Sequence, residues 1–256
     1  MAITYVAGNR AIGTNAERLA FPLYYTDFSS STGWTLDNAV ITNNQLQASQ
    51  NGNNVNRTSY YNLGSAVSTS FVLRFKIDTN NYTNNSSGQG ISFQIGLSNS
   101  SNPSGFYPSS GFLAVSVSVH AATNESNFYI LSAGSASAGT TRGEPLNVIR
   151  YIELSSNGST LTAKIYTTSD YSGSPEETIT KSYTVPTDLR YLFVRVANEA
   201  VAYVNTLYYD DIKLWSGVTT AGNTIYPIQN GLEFHETDTN KDYVYNSSNN
   251  TWYQIT

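Results

Sequence analysis

Apolar and polar residues alternate along several stretches of the chain, and this pattern predicts β-strands. In the clearest stretch Phe71, Leu73, Phe75 and Ile77 share one parity, while Val72, Arg74 and Lys76 take the other. Three more stretches alternate in the same way, with apolar positions at Ile91, Phe93, Ile95 and Leu97, at Leu113, Val115, Val117 and Val119, and at Leu161, Ala163 and Ile165. A two-residue period is typical of antiparallel strands that bury one face and expose the other.

Two further features refine this β-rich pattern. Residues 191–196 are apolar on both parities more than the other stretches, which predicts a central strand. Asn43 and Asn44 separate the apolar residues 40–42 from residues 45–47. Because Asn tolerates a positive φ angle, this pair predicts a tight hairpin turn.

The chain is predicted to be all-β and to consist of four units. The predicted units are an extended N-terminal arm at residues 1–21, an antiparallel β-sandwich of jelly-roll type at 22–216, a small-residue linker at 217–224 and a C-terminal β-meander at 225–256. The sandwich would carry long polar loops at residues 79–89, 98–110 and 132–145. A short helix is compatible with the sequence pattern only at residues 11–19.

The C-terminal meander is predicted to contain three short strands joined by two turns. A sheet of this size is too small to bury both of its faces by itself. It is nevertheless rich in apolar and aromatic residues, so its surface needs a cover from the sandwich, another copy of the chain or a partner protein. The predicted interface residues are Phe234, Tyr243, Tyr245, Trp252 and Tyr253, since interfaces centred on Trp and Tyr concentrate binding energy.

The last predicted strand of the sandwich, residues 207–215, places Asp210 on the same parity as Ile212 and Leu214. A carboxylate on a core-facing position must be paired, hydrogen-bonded or bound to a metal. The first and last strands of jelly rolls usually lie side by side, which would bring Asp27 close to Asp210 and Asp211. These three are candidate ligands of a structural Ca²⁺, which binds several oxygens. The alternative is that Asp210 or Asp211 accepts backbone N–H groups or pairs with Lys213 or an arginine.

Composition narrows the function classes. The chain has 256 residues with a formal net charge of −5 and no basic cluster, so a nucleic-acid partner is not expected. No apolar run is long enough to span a bilayer, and the first ten residues lack the pattern of a secretory signal. Cysteine is absent, so the fold depends on its core rather than on disulfides.

No catalytic residues are predicted. Glu176 and Glu177 are adjacent, so a strand would point them to opposite faces, and glycoside hydrolysis needs two carboxylates at a fixed separation. His120 and His235 show no spacing typical of a zinc site.

Sugar binding would instead use aromatic faces in polar loops, and the candidates are Tyr82, Phe106, Tyr107 and Tyr171. Plain packing is the alternative for each of them in a chain with 20 tyrosines.

Two resemblances add to this picture. Residues 150–161, 170–173, 188–192 and the closing residues 209–214 resemble the concanavalin A-like lectin/glucanase and laminin G-like sandwiches, although the Glu-x-Asp-x-x-Glu motif of the glucanases is missing. The ending Asp210-Asp211-Ile212 also resembles jelly-roll carbohydrate-binding modules, in which an acidic residue of the last strand often holds a structural Ca²⁺. The first ten residues and the ending around residues 236–252 resemble short terminal modules of tailed-phage virion proteins.

Together these resemblances imply a non-enzymatic virion structural protein, such as a capsid decoration, fibre or tail-associated subunit at the virion surface. Its lectin-like sandwich would contact surfaces or glycans, and its partners would be other virion proteins or further copies of itself. A stand-alone carbohydrate-binding module or lectin is the first alternative. A glycan-active enzyme is the second.

Overall fold

The computed structural model describes residues 4–6, 10–13, 15, 18, 21–51, 56–79, 91–103, 110–120, 125–132, 135–136, 144–145, 148–198, 204–221, 231–246 and 251–255. Apart from Asn15 and Arg18, which are helical, the regular structure of these residues is β. The strands are β1 (Thr4–Val6), β2 (Arg10–Gly13), β3 (Tyr24–Thr26), β4 (Trp34–Thr35), β5 (Ala39–Thr42), β6 (Gln45–Asn51), β7 (Arg57–Asn62), β8 (Ser70–Asp78), β9 (Ile91–Ser98), β10 (Phe112–His120), β11 (Glu125–Ser132), β12 (Ser135–Ala136), β13 (Glu144–Pro145), β14 (Ile149–Asn157), β15 (Thr160–Tyr166), β16 (Glu177–Ser182), β17 (Tyr191–Asn198), β18 (Val204–Ser216), β19 (Glu233–Glu236), β20 (Lys241–Asn246) and β21 (Thr251–Gln254).

Two antiparallel sheets form a sandwich. The first, which we call the β18 sheet, has the order β16-β15-β14-β8-β18-β6-β5, with β3 also paired to β18. The second, the β17 sheet, has the order β12-β11-β10-β9-β17-β7-β4, with β13 paired to β11. The prediction of an all-β antiparallel sandwich is confirmed, and β17 is central as expected, because it pairs with both β9 and β7.

The core between the sheets contains the apolar parity of each alternating stretch. Its fully buried members include Phe71, Leu73, Phe75, Ile77, Phe93, Ile95, Leu97, Leu113, Val115, Val117, Leu161, Ala163 and Ile165. One expectation needs correction, because the opposite parity of β9 and β10 is not exposed to water. Gln94 is fully buried there and Ser92 and Ser116 are nearly so, beside a second apolar cluster of Phe112, Ala114, Leu131 and Phe193.

Local turn chemistry and the closing strands follow the sequence pattern. Asn43 and Asn44 have φ angles of 50° and 57°, and Thr42 pairs with Gln45 directly across this two-residue turn. Two consecutive residues with positive φ are the signature of the tight turns that match the strand twist of a hairpin. The first and last strands of the sandwich, β3 and β18, pair antiparallel as predicted.

The predicted core-facing orientation of Asp210 is wrong, because β18 contains a β-bulge. The register between β18 and β8 shifts between Asp210 and Lys213, and Asp211 has a φ of 49°. Before the bulge Tyr209 faces the core, and after it Ile212 does. An extra residue in a strand reverses its parity, so Asp210 lies on the outer side of the sheet.

The N-terminal arm and the C-terminal meander form one small sheet, the terminal sheet, with the order β1-β2-β19-β20-β21. The predicted three-stranded meander is present, and β2 of the arm pairs parallel to β19. The core of the terminal sheet consists of Ala11, Phe21, Leu232, Phe234 and Tyr245, with Trp252 packed against it. The sequence predicts these two ends as separate units, whereas the structure pairs them in one sheet. The predicted unit boundaries stay predictions.

An ion pair and hydrogen bonds hold the two chain ends together. Arg18 lies 2.6 Å from Glu236, whose side chain is 1 % exposed and also accepts a hydrogen bond from Thr239. Thr237 donates its N–H to the carbonyl of Gly13 at 2.7 Å. Among the described residues, no helix is long and apolar enough to cross a membrane.

Candidate functional site

A row of charged side chains crosses the outer side of the β18 sheet. Arg74 of β8 lies opposite Lys213 of β18 and opposite Glu153 of β14, and Glu153 in turn lies opposite Lys164 of β15. Their neighbours along each strand face the core, so alternation places these four on the outer side. We call the surface formed by Arg74, Glu153, Lys164 and Lys213 the charged face.

The centre of the charged face is a tightly bonded ion pair. Glu153 Oε2 accepts a hydrogen bond from Arg74 Nε at 2.8 Å and lies 2.7 Å from Arg74 Nη2, and Glu153 Oε1 lies 3.7 Å from Lys164 Nζ. The Glu153 side chain is 9 % exposed and that of Arg74 is 19 % exposed. A carboxylate removed from water in this way depends on its partners, so the pair fixes the position of the guanidinium.

Aromatic rings enclose the guanidinium of Arg74. The Tyr171 ring centre lies 4.3 Å from Arg74 Cζ, and the Trp215 ring centre lies 5.8 Å from it. Tyr151 and Tyr166 contact the Tyr171 ring edge-on, at 6.0 Å and 5.6 Å between ring centres. Attraction between a cation and the faces of aromatic rings therefore adds to the ion pair in holding Arg74.

Tyr171 was predicted to offer an open ring to a sugar, and the structure corrects this. The residue is only 9 % exposed, because its ring packs on Arg74, Tyr151 and Tyr166. Among the described residues, its buried hydroxyl has no hydrogen-bond partner. Burial, with a further contribution from the Asp211 carboxylate, raises the pKa of Tyr171 well above its usual value.

The three predicted metal ligands lie on the same side of the β18 sheet, around Tyr25. Burial, followed by the negative charges of Asp211, Asp27 and Asp210, raises the pKa of Tyr25 to about 12. The expected closeness of the three carboxylates is consistent with this shared influence on one ring. The Tyr25 ring itself lies 5.5 Å from the ammonium of Lys213.

Each of these carboxylates already has a partner within the chain. Asp210 lies 3.1 Å from Lys76 Nζ, and Asp211 lies 2.8 Å from Lys213 Nζ. Asp27 accepts a hydrogen bond from the backbone N–H of Ser29 at 3.0 Å, and hydrogen bonds from Ser29 lower the pKa of Asp27. The alternative weighed from the sequence, pairing with Lys213, is the arrangement found at Asp211.

The present arrangement does not fit a calcium ion. Calcium needs six to eight oxygen ligands, and no group of three or more Asp, Glu, His or Cys residues in the described part of the chain could hold a metal. An ion at Asp210 and Asp211 would have to displace both lysines. The calcium site predicted from the sequence is untested, and the lysine pairs favour the alternative, in which these carboxylates pair within the chain.

The other predicted site residues separate into two groups. Tyr82, Phe106 and Tyr107 lie outside the described residues. In the terminal sheet, Phe234 and Tyr245 are buried in its own core, with Trp252 against them, and the Tyr243 ring lies 4.0 Å below the guanidinium of Arg18. Tyr253 is 45 % exposed. Of the predicted interface residues with a described side chain, Tyr253 is therefore the most available to a partner.

Sequence reasoning missed Arg74, Glu153 and Trp215. The outward parity of Arg74 was read correctly, but nothing in the sequence indicates which strands become neighbours of β8. Their pairing is what brings the residues together. Trp215 follows the bulge in β18, and its position beside Arg74 depends on that irregularity.

A second polar group lies on the outer side of the β17 sheet. Ser116 and Ser92 are joined at 2.5 Å between their hydroxyls, Gln94 donates to Ser92 at 3.0 Å, and Arg195 donates to Gln94 at 3.3 Å. Burial lowers the pKa of Arg195 to about 10. Because these four side chains are almost completely buried, they do not present an open surface, and the charged face is the better candidate.

Comparison with known proteins finds similarity in structure alone. No protein-family model matches the sequence, and no curated protein matches it. The exoplasmic/lumenal domain of VIP36, with Ca²⁺ and Man3GlcNAc bound, has a TM-score of 0.54 at 12% identity, covering 77% of this chain and 90% of that one. The carbohydrate recognition domain of Emp47p has a TM-score of 0.54 at 13% identity, covering 77% and 96%.

A phage protein is also similar. The CBM2 module of the evolved Dit protein of Lactobacillus casei BL23 phage J-1 has a TM-score of 0.50 at 12% identity, covering 78% of this chain and 97% of that one. At such low identity these similarities carry information about the fold and not about the ligand. They confirm the predicted jelly-roll type of the β-sandwich.

Proposed function

We propose that this chain is a non-enzymatic virion surface protein whose lectin-like sandwich binds carbohydrate at the charged face. The main support for the proposal is the position of the Arg74 guanidinium, which is fixed by Glu153 and lies close to the rings of Tyr171 and Trp215. Binding sites combine aromatic walls with a few polar groups in fixed positions. Sugars have hydroxyl groups that can both donate and accept hydrogen bonds, so paired cations and carboxylates suit them.

Three similar structures support the carbohydrate part of the proposal. VIP36 is described with a bound mannose-containing glycan, the Emp47p domain is a carbohydrate recognition domain, and the phage Dit module is named as a CBM2 module. The virion part has two supports. One is the resemblance of the chain ends to phage terminal modules, and the other is the phage origin of the Dit module.

The contacts of Glu153 favour binding over hydrolysis. A general acid must carry a transferable proton and reach the bond that it cleaves. Glu153 instead accepts a hydrogen bond from Arg74 Nε, forms an ion pair with that guanidinium and lies beside Lys164, an arrangement typical of a structural ion pair. A glycan-active enzyme remains the alternative if saccharide is turned over, and a stand-alone lectin remains the alternative if no particle contains the chain.

A glycan array probed with the full chain tests the binding proposal, with reducing-end release measured on every glycan that binds. We expect retention of at least one glycan and no release of reducing ends. Retention of none would contradict carbohydrate binding, and turnover would contradict the non-enzymatic assignment. Mass spectrometry of purified particles tests the virion assignment separately.

A further inference from the structure

The loop that joins β15 to β16, residues 167–176, is attached to the charged face through one side chain. Every residue from 167 to 174 is exposed except Tyr171, which is buried. From residue 167 to 174 the hydrogen bonds are local: Tyr171 donates its N–H to Thr168, Thr168 donates its hydroxyl to the carbonyl of Ser172, and Ser172 donates to Asp170. The end of the loop is anchored by Glu176, which donates its N–H to the carbonyl of Ile165 and lies 3.1 Å from Arg150 Nε. Within residues 167–174, the Tyr171 ring is the buried contact with the sheet.

The closed position of Tyr171 is unfavourable in two independent ways. Its hydroxyl is buried and, among the described residues, lacks a hydrogen-bond partner, and burying an unpaired polar group costs free energy. Its φ angle of 57° lies in the left-handed region, which is unfavourable for a bulky residue. Opposing these costs are the contacts of the ring with Arg74, Tyr151 and Tyr166.

Beneath this ring lie the components of a binding subsite. Trp215 is 1 % exposed, and the Arg74 guanidinium lies near both its indole and the Tyr171 ring. Removal of the Tyr171 ring would open the face of Arg74 that it covers, with Glu153 bonded to the guanidinium and the indole near the guanidinium. An indole offers an apolar surface to a sugar ring, while the guanidinium donates to hydroxyl oxygens and the carboxylate accepts from hydroxyl groups.

We propose that Tyr171 is a lid that covers a saccharide subsite formed by Trp215, Arg74 and Glu153. The subsite takes the ring of a neutral sugar, whose apolar face packs on the indole and whose hydroxyls bond to Arg74 and Glu153. This inference rests on the proposed carbohydrate binding and adds where the ring binds and what covers it. Since the open state is the competent one, the closed fraction weakens the apparent affinity.

Two variants of the full chain distinguish the role of the Tyr171 ring as a cover from that of its hydroxyl. Tyr171→Gly removes the ring and suits the positive φ angle, because glycine adopts it without strain. Tyr171→Phe keeps the ring and removes the unpartnered hydroxyl, so it keeps the lid closed. Tyr171→Asn, which also tolerates a positive φ angle, replaces the glycine variant if that protein does not fold.

The first measurement needs no ligand. The difference between variants in the quenching of tryptophan fluorescence by acrylamide reports the accessibility of Trp215, because Trp34 lies in the sandwich core and the half-buried Trp252 packs in the terminal sheet. We expect greater quenching in Tyr171→Gly than in the wild type, and wild-type quenching in Tyr171→Phe. Equal quenching in all three proteins would overturn the lid, whatever the glycan binding of the chain.

The second measurement is calorimetric titration with glucose, galactose, mannose and N-acetylglucosamine. We expect at least one sugar to bind Tyr171→Gly about tenfold more tightly than the wild type, as removal of a mostly closed lid requires. Tyr171→Phe should bind no more tightly than the wild type. Equal affinity in the wild type and Tyr171→Gly would overturn the covered subsite but leave carbohydrate binding elsewhere intact. Increased quenching without any sugar binding would contradict the saccharide subsite but would still support Tyr171 as the cover of Trp215.

Discussion

The guanidinium of Arg74 and the carboxylate of Glu153 lie directly opposite each other on β8 and β14, with 2.7 Å between Nη2 and Oε2. Both side chains are largely shielded from water. Removal of one partner therefore leaves the other charge poorly solvated, which is more harmful than removal of both.

We expect Glu153→Gln to lower the free energy of unfolding by about 2–4 kcal/mol, as measured by urea denaturation. The double variant Arg74→Met with Glu153→Leu should lose much less, since among the described residues the one charge left without its neighbour is that of Lys164, whose side chain is 39% exposed. Arg57 and Asp37 provide a control pair at 3.3 Å, because both side chains are 42% exposed. Asp37→Asn should cost less than about 1 kcal/mol. Equal losses at the two sites would contradict the shielding assigned to the charged face.

Tyr209 allows a second prediction, on the core. Its side chain is fully buried, and among the described residues its hydroxyl has no hydrogen-bond partner. We expect Tyr209→Phe to leave the stability unchanged or to raise it by about 1 kcal/mol. The matched change Tyr24→Phe should lower it by about 1 kcal/mol, because the Tyr24 hydroxyl accepts a 2.8 Å hydrogen bond from Trp34. Thermal unfolding of both variants measures the contrast, and a marked loss in Tyr209→Phe would show that the hydroxyl is bonded.

Calcium dependence is tested by the melting temperature in millimolar Ca²⁺ and in EDTA. Because Lys76 and Lys213 already pair with Asp210 and Asp211, we expect the same melting temperature in both buffers. Asp210→Ala should then shift both curves equally. A lower melting temperature in EDTA that disappears in Asp210→Ala would mean that calcium displaces the lysines, since a ligand of the folded state stabilises it by mass action.

Alkaline pH provides a test of the surroundings of Tyr25. Burial and three neighbouring carboxylates raise its pKa in the folded state from 10.0 to about 12. A raised folded pKa contributes stability that is fully present below pH 10 and is lost as the pH rises through 12. Tyr25→Phe should therefore reduce the loss of stability between these two pH values. An identical loss in the wild type and the variant would contradict the placement of the carboxylates around this ring.

Truncation tests the terminal sheet. Removal of residues 217–256 leaves β2 without its partner β19, so we expect a folded sandwich with an unpaired N-terminal arm. We also expect the loss of self-association or of attachment to the particle. Circular dichroism with light-scattering mass compares the two chains, and removal of residues 1–20 as well is the control. Unfolding of the truncated sandwich would place the terminal sheet within its core. An unchanged mass and equal particle binding would contradict an anchoring role.

The sequence predicts features that depend on neighbouring residues along the chain. The parity of Arg74 and the turn at Asn43 and Asn44 are local properties, and the structure confirms both. The bulge at Asp211 is different, because it inserts one residue and reverses the parity on which the orientation of Asp210 was argued. The charged face depends on strand order, since Arg74 and Glu153 are separated by 79 residues. No pattern within one strand indicates its neighbour.

The most direct test of the central proposal is calorimetric titration of the best glycan from the array into two matched double variants. Arg74→Gln with Glu153→Gln removes both charges of the shielded ion pair of the charged face. Arg57→Gln with Asp37→Asn does the same for an ion pair elsewhere on the sandwich. Carbohydrate binding at the charged face predicts at least a tenfold loss of affinity, about 1.4 kcal/mol, in the first variant and wild-type affinity in the second. In the described part of the chain, only Lys164, whose side chain is 39% exposed, loses its neighbouring carboxylate in the first variant. Wild-type affinity in a folded Arg74→Gln, Glu153→Gln protein would contradict the proposal.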